Sequence, residues 1–196
     1  MTLLIVVAKF SENLDWLHEI PSSASHHIVI YDKSPGGTHR NVGREAETFA
    51  RCICERYETL HEFSHVAFLQ GNPFDHIEKH ALFHMLMTSS ARDDVVPLGQ
   101  VLCSDELGCP HHPGLPVGAR WTELDDDDLD VSADHVPRAS WPFAAGAQYL
   151  VPTRSILRRP KEFWERLHAL VLDGRICPWT VERFWLLIFS RKSISV

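Results

Sequence analysis

Three short apolar runs, each followed by a polar turn, mark the first half of the chain. They read TLLIVVAKF from Thr2, HHIVIYDK from His26 and HVAFLQG from His65. Apolar runs of this length, rich in β-branched residues, are typical of strands buried on both faces, as in a parallel sheet. The segments between them have helical spacing. This alternation predicts an α/β fold, with a mostly parallel, Rossmann-like central sheet flanked by helices.

The boundaries of the helices follow from capping and breaking residues. Ser11 is placed to cap a helix over 12–20, which Pro21 ends. Pro160 is expected in the first turn of a late helix, and Gly174 just after its end. The remaining predicted elements are helices at 44–60 and His76–Thr88, a short strand within VPLGQVLCSD, a strand FAAGAQYLVP and a last helix PWTVERFWLLIFS.

Length and composition limit the class of protein. The 196 residues predict a single domain over 1–196, with a long irregular loop at about 104–142. The formal net charge of −7 argues against a nucleic-acid partner. No apolar run is long enough for a membrane span, and the five cysteines form no CxxC, which indicates reduced thiols in a cytoplasmic protein. The sequence does not indicate an oligomeric state.

The third apolar run ends in the polar turn QGNPFDH, which brings an amide, a carboxylate and an imidazole to the end of a core strand. Asp75 and His76 are a candidate metal-ligand pair, and this mixed set suits Mn²⁺ better than Mg²⁺. The alternative is that Asp75 caps the helix that follows.

Three segments together resemble an uncharacterised family, a domain of unknown function. They read NVGREAETFARCICERY, FLQGNPFDH and GAQYLVPTRSILRRPKEFWERL…ERFWLLIF, and the resemblance covers nearly the whole chain. That family in turn resembles glycosyltransferases of the GT-A type. Asn41, Gly43, Arg44 and Glu45 are similar to the Asn-x-Gly-Arg-Asp element of rhamnan-synthesis glycosyltransferases, and GAQYLVPTRSI is similar to the segment that borders their acceptor site.

The resemblance implies a GT-A-like single domain that binds a nucleotide-sugar across the carboxyl ends of its first strands. Lys9 would bind a phosphate. Arg44 would hydrogen-bond to the diphosphate at the N-terminus of the helix that begins near Asn41, Gly43 and Glu45. The alternatives are an ordinary solvated Lys9, and Asn41 as a helix N-cap.

GT-A enzymes usually hold Mn²⁺ or Mg²⁺ with Asp-x-Asp at the end of the third strand, where this chain has Gln70-Gly71-Asn72. Two possibilities stay open for the diphosphate. Either Asp75 and His76 supply metal ligands, with Gln70 and Asn72 nearby, or no metal is used. In the second case the diphosphate is neutralised by side chains: Lys9, Arg44, His76 and Arg154.

Inverting GT-A enzymes place a carboxylate near the start of a late helix, and Glu182 is the matching residue. It is the expected base that deprotonates the acceptor hydroxyl, and Asp75 is the second carboxylate of the expected catalytic set. The alternative for Glu182 is a structural ion pair with Arg183 or Arg154. Among the tryptophans, Trp164 and Trp185 fall at apolar helical positions typical of core, whereas three are candidates for sugar stacking: Trp121, Trp141 and Trp179.

Two other functions remain open. The missing Asp-x-Asp favours a GT-A-shaped binding module without catalysis. His76, His80 and His84 at i, i+4 and i+8 would lie on one helix face and, with Asp75, favour a metal-dependent enzyme. Two further segments are weaker metal candidates: CPHH from Cys109, which lacks a further ligand, and ELDDDDLD from Glu123, which is typical of a solvated charge run.

Overall fold

The computed structural model describes residues 2–22, 25–104, 108–109, 112–113 and 141–190. The irregular loop expected at about 104–142 therefore lies outside the described residues, apart from its two ends and two dipeptides. So do the side chains of CPHH, Trp121 and Trp141, and the whole of ELDDDDLD. In the part of the chain that is described, no helix is long and apolar enough to cross a bilayer.

Short strands and helices alternate along the chain. The strands are β1 (Thr2–Lys9), β2 (His26–Asp32), β3 (Phe63–Gln70), β4 (Val96–Pro97), β5 (Val101–Ser104), β6 (Gly108–Cys109), β7 (His112–Pro113), β8 (Trp141–Ala144) and β9 (Tyr149–Pro152). The α-helices are α1 (Arg44–Arg56), α2 (Lys79–Met87), α3 (Thr153–Leu157), α4 (Lys161–Leu172) and α5 (Pro178–Ser190). Segments of 3-10 helix are Asp15–Glu19, Tyr57–Glu62, Pro73–Asp75, Ser89–Ala91 and Ala145–Ala147.

The central sheet has five strands in the order β2-β1-β3-β9-β4. The pairs β2–β1 and β1–β3 are parallel, whereas β3–β9 and β9–β4 are antiparallel. The expected α/β fold is confirmed, but the sheet is mixed rather than mostly parallel. The parallel half arises because two crossovers return the chain to the same end of the sheet, one with the 3-10 segment Asp15–Glu19 before β2 and one with α1 before β3.

Apolar side chains cover both faces of this sheet. Alternate residues of β1, such as Leu4 and Val6, pack with α1, α4 and α5, while Ile5 and Val7 face Trp16, Leu82 and the opposite layer. Strands buried on both sides explain why the sequence shows continuous apolar runs without alternation. Trp164 and Trp185 are fully buried and stack at 6.5 Å between ring centroids, as expected for core residues.

Three predicted helices are shorter in the structure. The helix expected at 44–60 is α-helical only over Arg44–Arg56 and continues as the 3-10 segment Tyr57–Glu62. Residues 12–20 form only the 3-10 segment Asp15–Glu19, because Asn13 Oδ1 accepts from the backbone of Asp15 and Glu12 Oε2 accepts from the backbone of Phe10 and Ser11. These side chains satisfy backbone donors locally and favour a turn over an α-helix.

The helix expected at His76–Thr88 begins at Lys79 instead. Asp75 is the last residue of the 3-10 segment Pro73–Asp75, so it does not cap α2. His76 therefore precedes the helix that carries His80 and His84, and the three histidines do not form one helical stripe.

The predicted strand FAAGAQYLVP is two strands in two sheets. Gly146 has φ +71°, a left-handed conformation that ends β8 and starts a new direction before β9. Glycine adopts this conformation without the steric cost that other residues bear. The turn moves the chain from the β5–β8 pair into the central sheet.

A buried carboxylate ties α1 to two other parts of the chain. Glu47 is 1% exposed and forms ion pairs with Lys33, which is 4% exposed, and with Arg51. His168 Nε2 on α4 lies 2.8 Å from Glu47 Oε1. Burial alone would raise the pKa of Glu47, but the contacts with His168, Lys33 and Arg51 outweigh it and hold the pKa at about 2. The network joins the loop after β2, α1 and α4.

The first prediction concerns this network. Glu47→Ala leaves the ammonium of Lys33 buried without its carboxylate, so we expect a loss of about 3–5 kcal/mol in the free energy of unfolding. The control is Glu19→Ala, which removes the exposed ion pair with Lys79 and should cost less than about 1 kcal/mol. Urea unfolding followed by tryptophan fluorescence measures both, and equal losses would contradict the assignment.

The same network makes the stability of the fold depend on pH in acid. The pKa of Glu47 is lowered from 4.5 to about 2 in the folded protein. Its contribution to the free energy of unfolding is therefore fully present above pH 4.5 and is lost as the pH falls from 4.5 to about 2. The difference in unfolding free energy between the wild type and Glu47→Ala should therefore shrink on acidification.

Candidate functional site

A cleft lies at the carboxyl ends of β1 and β3, where Lys9 is in register with Asp32 and Ala8 with Gln70. It has a larger compartment of about 530 Å³ and a smaller one of about 330 Å³, which share Arg44, Glu45 and Gln70. The larger compartment is also lined by Ala8, Lys9, Phe10, Glu12, Lys33, Asn41, Asn72 and Asp75. The smaller one is also lined by His76, Gln100, Leu102, Phe143, Ala145, Gly146, Trp179 and Glu182.

The cleft thus gathers nearly all of the residues that sequence reasoning selected. Lys9, the 41–45 corner and the 70–76 turn meet in it, and Glu182 joins them from α5. Gly43 itself lines neither compartment, and Arg154 lies apart from both. Its guanidinium donates to the backbone oxygen and a carboxylate oxygen of Asp93, at 2.7 and 2.8 Å, and it lines a separate pocket with Asp94 and Arg158.

Lys9 stands at the rim of the larger compartment in an ion pair with Asp32. Hydrogen bonds from Lys9 and Ser34 lower the pKa of Asp32 to about 2. The ammonium is therefore anchored by a carboxylate that stays charged across the physiological range, rather than free in solvent.

The corner at 41–45 is built on two left-handed residues. Gly43 has φ +66°, and a Cβ there would lie 2.6 Å from Val171 Cγ1 on α4. Arg44 follows with φ +50°, a conformation that costs a non-glycine residue steric energy. Lys33 Nζ donates to the backbone oxygens of Val42 and Arg44 at 2.8 and 2.7 Å, which holds the corner from beneath. Gly43, not Asn41, occupies the N-cap position of α1.

The turn after β3 is fixed by its own amides and by one buried glutamine. Asn72 Oδ1 accepts from the backbone of Phe74, and its amide donates to Asp75 Oδ1 at 2.9 Å. Gln148 is fully buried; its Oε1 accepts from the backbone of Gln70 and its Nε2 donates to the Pro73 oxygen. Sequence reasoning missed Gln148, although a lone amide within the apolar run AQYLV was a signal of a buried polar contact.

The expected metal-ligand pair does not form a closed ligand set. Asp75 is exposed and bound by Asn72, while the ring of His76 faces Gly146. His80 and His84 are exposed on α2. Within the described ranges, no three His, Cys, Asp or Glu side chains lie together as a metal site would require.

Glu182, the fifth residue of α5, forms the floor of the smaller compartment. Its Oε1 accepts from the backbone N–H of Gly146 at 2.8 Å. Burial and the neighbouring carboxylate of Glu45 raise the pKa of Glu182 to about 7, although the Gly146 hydrogen bond, Arg44 and Arg183 partly offset this. Such a carboxyl can both take and give a proton near neutral pH.

Arg44 lies between the two compartments. Its side chain is 51% exposed, and its guanidinium carbon is 5.1 Å from the centroid of the Trp179 ring. Its Nε is 3.4 Å from Glu45 Oε2, a long ion pair. Because Arg44 lines both compartments, a ligand in either can reach it.

The chain belongs to the family described as Protein of unknown function (DUF3431), whose model matches residues 4–196. This confirms the resemblance to an uncharacterised family. Neither the curated proteins nor the solved structures include a match to the chain.

The second prediction concerns the cost of keeping Glu182 ionised. Its folded-state pKa is raised from 4.5 to about 7, so burial of the charge costs nothing below pH 4.5 and costs most above pH 7. Glu182→Gln should therefore stabilise the protein by about 1–3 kcal/mol at pH 8 and hardly at pH 4.5. Glu165→Gln, an exposed carboxylate on α4, is the control. A gain that is the same at both pH values would argue against the raised pKa.

The third prediction concerns Gly146, where Gln70, His76 and Glu182 converge. A Cβ there would lie 2.6 Å from His76 Cδ2 and 2.8 Å from Gln70 Oε1. Gly174 has nearly the same φ, +70°, but nothing within 4 Å. Gly174→Ala should cost about 1–2 kcal/mol for the left-handed backbone alone, and Gly146→Ala about 1–3 kcal/mol more for crowding. Thermal unfolding compares the stability of the two variants. Equal losses would mean that His76 and Gln70 move aside without a measurable cost.

Proposed function

We propose that this chain is a glycosyltransferase that moves a sugar from a nucleotide-activated donor to an acceptor hydroxyl, with Glu182 as the base. The observation that carries the proposal is the position of Glu182. A carboxyl with a pKa of about 7 lies in a compartment that shares Arg44, Glu45 and Gln70 with the compartment lined by Lys9.

The larger compartment is assigned to the donor. It lies at the carboxyl ends of parallel strands, where open α/β sheets usually bind ligands. Lys9 and Arg44 supply positive charge for a diphosphate, and the N-terminus of α1 adds its dipole. Asn41, Gln70 and Asn72 line the same space with amides that can bond ribose or sugar hydroxyls.

The proposal assigns the charge of the diphosphate to side chains. Asp75, the carboxylate of the 70–76 turn, is already bonded to the amide of Asn72. Lys33 is buried and donates to the backbone oxygens of Val42 and Arg44. Lys9 and Arg44 are more exposed, so this role falls to them, with His76 nearby. Asp75 acts through its bond to Asn72, which orients that amide.

The smaller compartment is assigned to the acceptor. Glu182 takes the proton of the acceptor hydroxyl while the hydroxyl oxygen bonds to the anomeric carbon of the donor sugar. The bond from that carbon to the diphosphate breaks, and its electron pair stays on the phosphate oxygen. Base and leaving group stand in different compartments, on either side of Arg44. This division favours attack from the face opposite the leaving group, and hence inversion.

The fourth prediction tests this assignment with UDP-, GDP- and dTDP-sugars, each with and without Mn²⁺. At least one should raise the melting temperature, because a ligand that binds the native state stabilises it. Glu182→Gln and Glu165→Gln should keep this shift, and Arg44→Ala should lose it. Release of the nucleoside diphosphate, with water or an added sugar as acceptor, should fall about 10²- to 10⁴-fold in Glu182→Gln and stay unchanged in Glu165→Gln.

The pH dependence gives a second check on the base. Release by the wild type should rise with pH through about 7, where Glu182 loses its proton, and the residual rate of Glu182→Gln should lack that step. Undiminished release by Glu182→Gln would remove its role. Binding without release by the wild type would leave a nucleotide-binding module.

A further inference from the structure

We infer that the smaller compartment is a carbohydrate subsite in which a pyranose ring of the acceptor packs against Trp179. This inference rests on the proposed function and names the acceptor class. It depends on the juxtaposition of an aromatic ring, side-chain amides and Glu182 in one compartment of about 330 Å³.

Trp179 and Glu182 are three positions apart on α5, so they share a helix face. Residues at this spacing have Cβ atoms about 5–6 Å apart. A flat ligand resting on the indole therefore presents its edge to the carboxylate. A pyranose fits this arrangement, because its C–H face is apolar while its hydroxyls point outward from the ring edge.

The polar lining suits neutral hydroxyl groups. Gln70, Gln100 and His76 can each donate and accept hydrogen bonds, as a hydroxyl requires. The backbone of Gln100 is fixed by its N–H to the His76 oxygen and by its oxygen to the Ala145 N–H, while its side chain is exposed. An acceptor with an extended hydrocarbon chain would leave these groups unsatisfied.

The position of Arg44 indicates the order in which the donor and the acceptor bind. Its guanidinium already lies over the Trp179 ring, 5.1 Å from the centroid, so the ring face can hold a flat polar group. A diphosphate in the larger compartment attracts the same guanidinium. Binding of the donor would then draw Arg44 away from the indole and make room for the sugar.

The fifth prediction is tested with methyl pyranosides of glucose, galactose, mannose and N-acetylglucosamine, by saturation-transfer NMR with and without UDP. At least one should bind, and more tightly when UDP is present. Trp179→Ala should weaken binding at least about tenfold, while Trp179→Phe, which keeps an aromatic face, should retain more of it. Ile30→Ala, which removes an exposed apolar residue of β2 that lines neither compartment, should leave it unchanged.

Failure of this inference and failure of the proposed function give different results. If nucleotides bind but no pyranoside does, or if Trp179→Ala binds pyranosides like the wild type, the carbohydrate subsite is wrong and the donor site stands. If pyranosides bind at Trp179 but no nucleotide binds anywhere, the subsite stands and the glycosyltransferase proposal fails.

Discussion

The buried carboxylate of Glu47 is the interaction on which the cleft depends. It neutralises Lys33, and Lys33 in turn holds the backbone oxygens of Val42 and Arg44. Without that pair the ammonium would not remain buried, and the corner that carries Arg44 would lose its support from beneath. Because His168 on α4 contacts the same carboxylate, the position of the corner is also set by the helix layer behind the sheet.

The cleft is assembled at two places where the backbone is left-handed. Gly43 and Arg44 turn the chain into α1, and Gly146 separates β8 from β9. At both glycines a side chain would collide with neighbouring atoms, at Val171 in one case and at His76 in the other. Close backbone approach thus brings Arg44 and Glu182 to the same space. The cost is visible in the strained φ of Arg44 and in the raised pKa of Glu182, which is the pattern expected where stability is given up for a functional geometry.

Part of the fold and of the cleft could be predicted from the sequence, because the signals lie in short segments of the chain. Apolar runs identify β1 to β3, and parallel strands bring their carboxyl ends to one edge, so Lys9 and Gln70 could be grouped without coordinates. Arg44 and Glu182 were selected only through the resemblance to GT-A enzymes. The antiparallel β9 could not be predicted, because its direction depends on the turn at Gly146. The ends of α2 and the loss of the helix at 12–20 depend on side chains that bond nearby backbone groups. Arg154 was misleading because its partner, Asp93, lies on a distant segment.

The charge balance of the cleft gives a physical reason for its two compartments. Lys9, Lys33 and Arg44 face the larger one together with Glu12, Glu45 and Asp75, so positive and negative side chains are matched in number. A dianion would gain little from such a space unless the cations were aimed at it and the carboxylates were turned to other partners. Glu12 accepts from backbone N–H groups, Asp75 from Asn72, and Lys9 is held at the rim by Asp32. Arg44, half-exposed and held by one long ion pair and an aromatic ring, lines both compartments. Glu182 lines only the smaller compartment, and its pKa, raised to about 7 by burial and by the carboxylate of Glu45, lets it ionise near neutral pH.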